Sequence, residues 1–250
     1  MTINILLGVM LPFFGTVLGA AGVFFMRGEM NARARSAVIG FAAGIMVAAS
    51  VWSLILPAVA RSAGLGRFAF VPVAVGVLCG VAFLLLLDVL ASRLCAKGES
   101  CSRLNMAVTL HNLPEGMAVG AVLAGLLAGE EGITVASALA LSLGIAIQNF
   151  PEGAIVSMPE HSRGYTRGRA FLHGVLSGAI EPLGALMTIL AAGVIVPALP
   201  YLLGFAAGAM LCVVVEELIP ELSESGHLHL GSITFSLGFT LMMILDIALG

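Results

Sequence analysis

Long apolar stretches alternate with short polar segments along the whole chain. Each stretch is about 20 residues long, which is the length of an α-helix that crosses a bilayer. The pattern therefore predicts an all-α integral membrane protein with eight transmembrane helices in a single polytopic domain over residues 1–250. The predicted spans are 3–26, 36–57, 68–91, 104–127, 133–158, 169–192, 198–220 and 231–249.

The composition agrees with a membrane protein. Hydrophobic residues make up 60% of the chain and charged residues 10%, whereas about a quarter of a soluble domain is charged. The 31 glycines suit close helix packing in lipid. A net charge of −3 gives no sign of a nucleic-acid partner. The first apolar stretch lacks a basic leader and a clear cleavage site, so we interpret it as a mature helix.

Basic residues concentrate in alternate loops, which predicts the orientation of the chain. The first, third and fifth loops each carry three, the second loop carries Arg61 and Arg67, and the remaining loops carry none. Because cytoplasmic loops are enriched in Lys and Arg, the odd loops are predicted to be cytoplasmic and both termini to lie outside. The short loops favour a plasma membrane location, in a prokaryotic inner membrane.

The second and seventh spans begin with nearly the same sequence. Residues 40–46 read GFAAGIM and residues 204–210 read GFAAGAM, although the two spans are predicted to cross the membrane in opposite directions. The third and eighth spans each have a Gly eight residues before an Asp, namely Gly80 and Asp88, and Gly238 and Asp246. This predicts a 3+2+3 arrangement in which helices 1–3 and 6–8 form an inverted repeat around helices 4 and 5. Chance similarity of small-residue packing motifs is the alternative.

A polar motif occurs twice in the central pair of spans. Residues 110–119 read LHNLPEGMAV, and residues 147–156 read IQNFPEGAIV. In the first copy, His111 and Glu115 are four residues apart and share one helix face. Each Pro is expected to bend its helix, and each Gly after the Glu is expected to let a neighbouring backbone approach closely.

Glu115, Glu152 and Glu181 all lie within predicted spans. A charged side chain at the bilayer centre costs at least about 2.5–3.5 kcal/mol, and no Lys or Arg lies deep in the same three spans. The carboxyls must therefore be protonated or meet a cation. Imidazole, carboxylate and amide oxygen together suit a divalent metal such as Zn²⁺. Taken singly, the His and Asn could serve as interhelical hydrogen-bonding residues and a Glu as a proton relay.

The paired HNLPEG and QNFPEG motifs, with the Glu of SGAIEPLGA, resemble those of the ZIP (Zrt/Irt-like) family of divalent-metal transporters. The Gln that opens the second motif is similar to the GufA-like prokaryotic branch, and the resemblance covers essentially the whole chain, including GFTLMMILDIALG at its end.

The resemblance implies zinc uptake into the cytoplasm through a binuclear site between helices 4, 5 and 6. In it, Glu115 and Glu152 bridge the two metals. The implied first metal is held by His111, Glu115, Gln148 and Glu152, with Met46 nearby, and the second by Asn112, Glu115, Asn149, Glu152 and Glu181.

The chain departs from many relatives at two of these positions. Gln148 replaces a His, so strict zinc selectivity is in doubt and Cd²⁺, Fe²⁺ or Mn²⁺ are further candidate substrates. Asn149 replaces the Asp of some relatives, which lowers the charge at the second metal. The long His-rich loop of many eukaryotic members is absent after helix 3. The loop thiols Cys95 and Cys101 are either a metal-sensing pair or ordinary cysteines.

Other polar residues are candidates for the metal's route. Ser53 and Asp246 resemble an entrance on the outer side. The candidate exit residues on the cytoplasmic side are Asp88, Glu216, Glu217, His227 and His229, for which interfacial solvation is the alternative. We interpret His161 and His173 as loop and packing residues.

The expected mechanism is elevator-like alternating access without ATP hydrolysis, since the chain contains no Walker motif. A selective metal channel would carry the same motifs and stays open. An intramembrane metallohydrolase is disfavoured because the HExxH motif is missing. The expected partners are divalent metal ions and the lipid bilayer. Homodimer formation is left open by the sequence.

Overall fold

The computed structural model describes residues 2–25, 31–95, 103–196 and 198–249, and its side chains apart from those at 91–95, 103–111, 194–195 and 249. The described residues form eight long helices, α1 to α8, a 3₁₀ helix at Ala63–Phe68, a short helix at Ala192–Ile195, and no β-strand. The long helices are α1 Thr2–Phe25, α2 Ala32–Arg61, α3 Phe70–Cys95, α4 Arg103–Ala128, α5 Val135–Ser162, α6 Arg167–Leu190, α7 Leu199–Glu224 and α8 Leu228–Leu249.

The predicted all-α membrane fold is confirmed, with one helix for every predicted span. Seven of the helices are long and apolar enough to cross a membrane, and the fully described part of α4, Asn112–Ala128, is a shorter apolar helix. Polar residues cap the starts of several helices. Asn31 accepts a hydrogen bond from the Ala34 amide at 2.7 Å, so α2 begins before its predicted span, and Thr134 forms a reciprocal capping box with Ser137 at the start of α5.

Three helices are locally irregular. Helix α2 contains a π-helical segment at Ser50–Ile55, and α7 contains one at Val214–Leu218. Helix α6 consists of the segments Arg167–Gly178 and Ile180–Leu190. Such π-helical segments often occur at functional sites. The apolar pattern did not predict any of the three irregularities.

The helices pack in pairs within two groups. Helix α1 lies along α5, and α4 lies along α6, while α5 and α6 also contact one another. In the other group, α2 lies along α8 and α3 lies along α7. Helices α2 and α7 contact α5 and α4, respectively, and so join the groups. We refer to α1, α4, α5 and α6 as the motif group and to α2, α3, α7 and α8 as the flanking group.

Glycines at related sequence positions make related contacts in the flanking group. A Cβ atom on Gly80 would collide with the carbonyl oxygen of Phe205, and one on Gly238 would collide with that of Phe41. Phe41 and Phe205 are the second residues of the two GFAAG sequences. The α3–α7 and α2–α8 pairs therefore use equivalent residues.

A second set of contacts follows the same correspondence. A Cβ on Gly44 would collide with the carbonyl of Phe235, and one on Gly208 would collide with that of Val77. The two glycines occupy the same place in the GFAAG copies, and both Val77 and Phe235 come three residues before the matched Gly80 and Gly238. The two π-helical segments likewise begin at residues 50 and 214, which are as far apart as the two glycines. These matches agree with the predicted repeat, which stays a prediction.

We predict that Gly44→Ala and Gly208→Ala each destabilise the protein by about 1–3 kcal/mol, because the added methyl group must push two helix backbones apart. Thermal unfolding in detergent would measure the effect. Gly168→Ala is the matched control, since that helical glycine has no atom within 4 Å of its Cβ position. Equal unfolding temperatures for all three variants would show that the helices do not pack at backbone distance.

Candidate metal site between three helices

The two polar motifs lie in the interior of the motif group. Asn112, Glu115, Gln148 and Asn149 are fully buried, with no accessible surface. Glu152 on α5 and Glu181 on α6 are also buried. Helices α4 and α5 continue through Pro114 and Pro151.

Both motif glycines stand where a neighbouring backbone approaches, as the sequence predicted. A Cβ on Gly116 would collide with the carbonyl oxygen of Glu181, which brings α6 against α4. A Cβ on Gly153 would collide with the carbonyl oxygen of Thr16, which brings α1 against α5. The residue after each motif Glu therefore fixes which helix lies beside that Glu.

A hydrogen bond joins the two motifs directly. The side-chain amide of Gln148 donates through Nε2 to Oε1 of Glu115. Since Glu115 is on α4 and Gln148 is on α5, the first polar residue of one motif reaches the Glu of the other. The pairing places an amide and a carboxylate of the implied first metal site within contact of one another.

Glu181 is held by two donors from two other helices. Asn149 donates through Nδ2 to Oε2 at 2.7 Å, and Thr16 donates through its hydroxyl to Oε1 at 2.8 Å. Glu181 lies in the first turn of the second segment of α6, directly after the interruption in that helix. The sequence analysis missed Thr16, whose only signal was an isolated hydroxyl in an otherwise apolar span.

The side-chain amide nitrogens of the site point to acceptors in the protein. Asn112 donates through Nδ2 to the backbone oxygen of Ser177 at 2.9 Å. Asn149 and Gln148 donate to carboxylates, as described above. Four buried oxygens have no hydrogen-bond donor among the described residues, namely Asn112 Oδ1, Glu115 Oε2, Gln148 Oε1 and Asn149 Oδ1.

Acceptor oxygens without donors are unusual in a protein interior, because each costs about 1–3 kcal/mol when it is left unsatisfied. The three carboxyl groups lie close enough for their charges to act on one another. The combination of negative charge and unpaired oxygen atoms is what a cation would neutralise and coordinate. The donor set of amide and carboxylate oxygens therefore fits a divalent metal.

The described side chains do not yet form a closed metal cage. No group of three or more His, Cys, Asp or Glu side chains within this part of the structure lies close enough to hold an ion. The side chains of His111 and Cys95 lie outside the described part of the structure, and so does the whole of Cys101. Met46 is fully buried in α2, and its role near the first metal remains a prediction.

The predicted entrance residues contact one another between α2 and α8. Ser53 donates through its hydroxyl to Oδ1 of Asp246 at 2.6 Å. Both residues line a cavity of about 250 Å³. Ser53 belongs to the π-helical segment of α2, which brings an irregular backbone to the wall of this cavity.

Three of the predicted exit residues lie within electrostatic range of one thiol. Asp88, Glu216 and Glu217 lie close enough to the thiol of Cys212 to act on it electrostatically. Glu216 and Glu217 belong to the π-helical segment of α7. His227 is partly exposed before α8 begins, and His229 is exposed in its first turn. His173 contacts Glu160 at 3.0 Å, and His161 bonds to the backbone oxygen of Tyr165 at 2.8 Å.

Comparisons with known proteins place these features in a family. The chain is 40% identical over 257 residues to a Bordetella bronchiseptica protein named zinc transporter ZIPB, covering 98% of this chain and 81% of that protein. It is 36% identical over 334 residues to human zinc transporter ZIP11, covering 98% and 97%. It is 34% identical over 248 residues to zinc transporter GufA of Myxococcus xanthus, covering 94% of each. The family model described as ZIP zinc transporter matches residues 103–246, which include both polar motifs and Glu181. This chain therefore belongs to the ZIP zinc transporter family.

Proposed function

We propose that this protein carries divalent metal ions, zinc foremost, across the membrane and into the cytoplasm. The observation that carries the proposal is the set of buried oxygens without donors on α4 and α5, next to three carboxyl groups. A membrane protein with such a site gains stability from a cation that occupies it. The names of the relatives add zinc as the expected cargo.

The hydrogen bonds support the ligand set that the family resemblance implies. Glu115 Oε2 and the amide oxygen of Gln148 would meet the first metal, and the resemblance adds His111, which comes four residues before Glu115 in the sequence. The amide oxygens of Asn112 and Asn149 meet the second metal together with Glu181. Glu115 and Glu152 bridge the two ions. Small side-chain movements close the cage, since the amide nitrogens are already anchored to protein acceptors.

Alternating access is supported by the matched contacts of the flanking group. Ser53 on α2 donates a hydrogen bond to Asp246 on α8. In the repeat, Glu217 on α7 corresponds to Ser53, and Asp88 on α3 corresponds to Asp246. Both Glu217 and Asp88 lie within electrostatic range of Cys212. An inverted 3+2+3 repeat would place one pair toward the outside and the other toward the cytoplasm. The motif group, which carries the site, would move against the flanking group between the two states.

The orientation and the range of metals are part of the proposal. Both termini face outward, the odd-numbered loops face the cytoplasm, and the protein resides in a prokaryotic inner membrane. The amide of Gln148 is a less selective ligand than an imidazole, so Cd²⁺, Fe²⁺ and Mn²⁺ compete with zinc.

Removing either bridging carboxylate should strongly impair transport. We expect Glu115→Ala and Glu152→Ala to lower zinc uptake into proteoliposomes by about tenfold or more, because even residues that only support metal ligands cost 10- to 100-fold when they are lost. Glu224→Ala, at an exposed position in α7, is the matched control. Uptake that saturates with zinc concentration would indicate a carrier, and ohmic flux a channel. Flux from both variants equal to the wild type would contradict the assignment.

Metal binding should release protons. Ionised carboxyl groups are costly inside a membrane protein when no cation is present, so an incoming dication is expected to displace protons from the empty site. A pH-sensitive dye added to purified protein in weak buffer will report acidification when zinc is added. Glu115→Gln should reduce the signal. No acidification from a protein that binds zinc would show that the empty site holds no protons.

The Gln148→His substitution should narrow the selectivity. Imidazole binds zinc better than an amide oxygen does, and it suits manganese less well. We therefore expect the preference for Zn²⁺ over Mn²⁺ to rise severalfold, as measured by competition in the proteoliposome uptake assay. An unchanged preference would place Gln148 outside the metal's first coordination sphere.

A further inference from the structure

Arg61 is one of only two basic residues in the even-numbered loops, and the metal site makes no use of it. It is the last residue of α2, in the flanking group. Its side chain is only 13% exposed, whereas the other such residue, Arg67, is exposed and lies over the ring of Phe68. A largely buried guanidinium group needs partners that compensate for the lost water.

Those partners belong to the loop between α4 and α5, in the motif group. Arg61 donates through Nη2 to the backbone oxygen of Glu131 at 3.1 Å. Its Nη1 lies 3.5 Å from Oε2 of Glu130, which is 38% exposed. The two contacts therefore join the end of a flanking helix to the loop of the helix pair that carries the metal site.

The loop is held in one backbone conformation. Gly129 and Gly132 both have positive φ angles, of 72° and 78°, which few other residues adopt. The amide of Glu130 donates to the backbone oxygen of Gly125 at 3.0 Å, and the amide of Ile133 donates to that of Glu130 at 3.3 Å. Glu130 is thus presented to Arg61 from a fixed position.

The end of α2 is equally well defined. Ser62 donates through its amide and through its hydroxyl to the backbone oxygen of Ala58, at 3.2 Å and 2.9 Å. Because both partners are preorganised, the ion pair costs less conformational entropy than one between mobile surface side chains.

Arg61 also forms part of the wall of the cavity that contains Ser53 and Asp246. Gly132 and Ile133, from the loop that Arg61 binds, line the same cavity. Helix α2, the α4–α5 loop and the side chains of Arg61 and Asp246 therefore border one small cavity, whose wall is mainly apolar with a few polar groups. Only Arg61 of the ion pair lines the cavity, and its partner Glu130 belongs to the loop that supplies Gly132 and Ile133 to the same wall.

We propose that Arg61 and Glu130 form an outer latch, which holds the α4–α5 loop against α2 and closes the cavity at Asp246 in this conformation. The inference rests on the proposed transport function only where it treats the cavity as the entrance for the metal. Breaking the latch separates the motif group from the flanking group at this end and admits a hydrated cation from outside.

A cysteine placed in the cavity tests the latch without any metal. Val122 lines the cavity and is buried, so Val122→Cys, in a background where the four native cysteines are Ser, reports when the mouth opens. The probe is a positively charged, membrane-impermeant methanethiosulfonate applied to protein in nanodiscs. We expect Arg61→Gln and Glu130→Gln each to raise the modification rate about two- to fivefold, the scale of a partly exposed ion pair.

Two matched variants and a charge exchange complete the test. Arg67→Gln and Glu131→Gln make the same charge changes in the same loops, but Arg67 is exposed and Glu131 uses only its backbone oxygen, so both should modify at the wild-type rate. Exchanging the charges, with Arg61→Glu and Glu130→Arg together, restores an ion pair. The modification rate of this double variant should fall at least halfway back from the rate of the single variants to that of the wild type.

Wild-type modification rates in Arg61→Gln and Glu130→Gln, or no recovery in the exchanged protein, would overturn the latch. Glu130 is partly exposed, so its variant should fold even where Arg61→Gln does not. Because the assay contains no metal, it measures the latch independently of zinc transport. Failure of the latch and failure of the transport function can therefore be told apart.

Discussion

The fold is built around carboxylate and amide oxygens that face one another inside a helix bundle with too few hydrogen-bond donors to satisfy them. Glu115 Oε2 and the oxygens of three side-chain amides lack donors among the described residues. Water is scarce at such depth, so these groups are stable only when protons or cations reach them. A site with this deficit is suited to binding and releasing a cation rather than to holding the bundle together.

The small residues of the bundle are what make that site possible. Gly116 and Gly153 let α6 and α1 reach α4 and α5 at backbone distance, which brings Glu181 and Thr16 to the two motifs. In the flanking group, glycines at matched positions join α2 to α8 and α3 to α7 in the same way. Within each group the helices approach at backbone distance beside several glycines, whereas the two groups meet where α2 contacts α5 and α7 contacts α4.

Much of this arrangement was predictable from the sequence because its causes are local. Apolar runs of membrane length gave all eight helices, and the glycine after each motif Glu correctly predicted a close backbone contact. The donors to Glu181 were only partly predictable, since Thr16 lies far away in the chain and its span contains no motif. The apolar pattern does not predict the π-helical segments of α2 and α7. A proline comes shortly after each segment, Pro57 in α2 and Pro220 in α7, and prolines disturb the backbone hydrogen bonds of the preceding helical turn. Arg61 appeared in the sequence only as an exception to the charge bias, and its significance depends on a loop that is 69 residues away.

The most direct test of the central claim is to locate the metal itself. Crystals grown with zinc, measured at wavelengths above and below the zinc absorption edge, will give an anomalous difference map. The account predicts two neighbouring peaks between α4, α5 and α6, each within about 2.0–2.2 Å of a carboxylate oxygen of Glu115 or Glu152. A zinc-saturated crystal with its peaks elsewhere, and with these carboxylates bound only to protein donors, would contradict it.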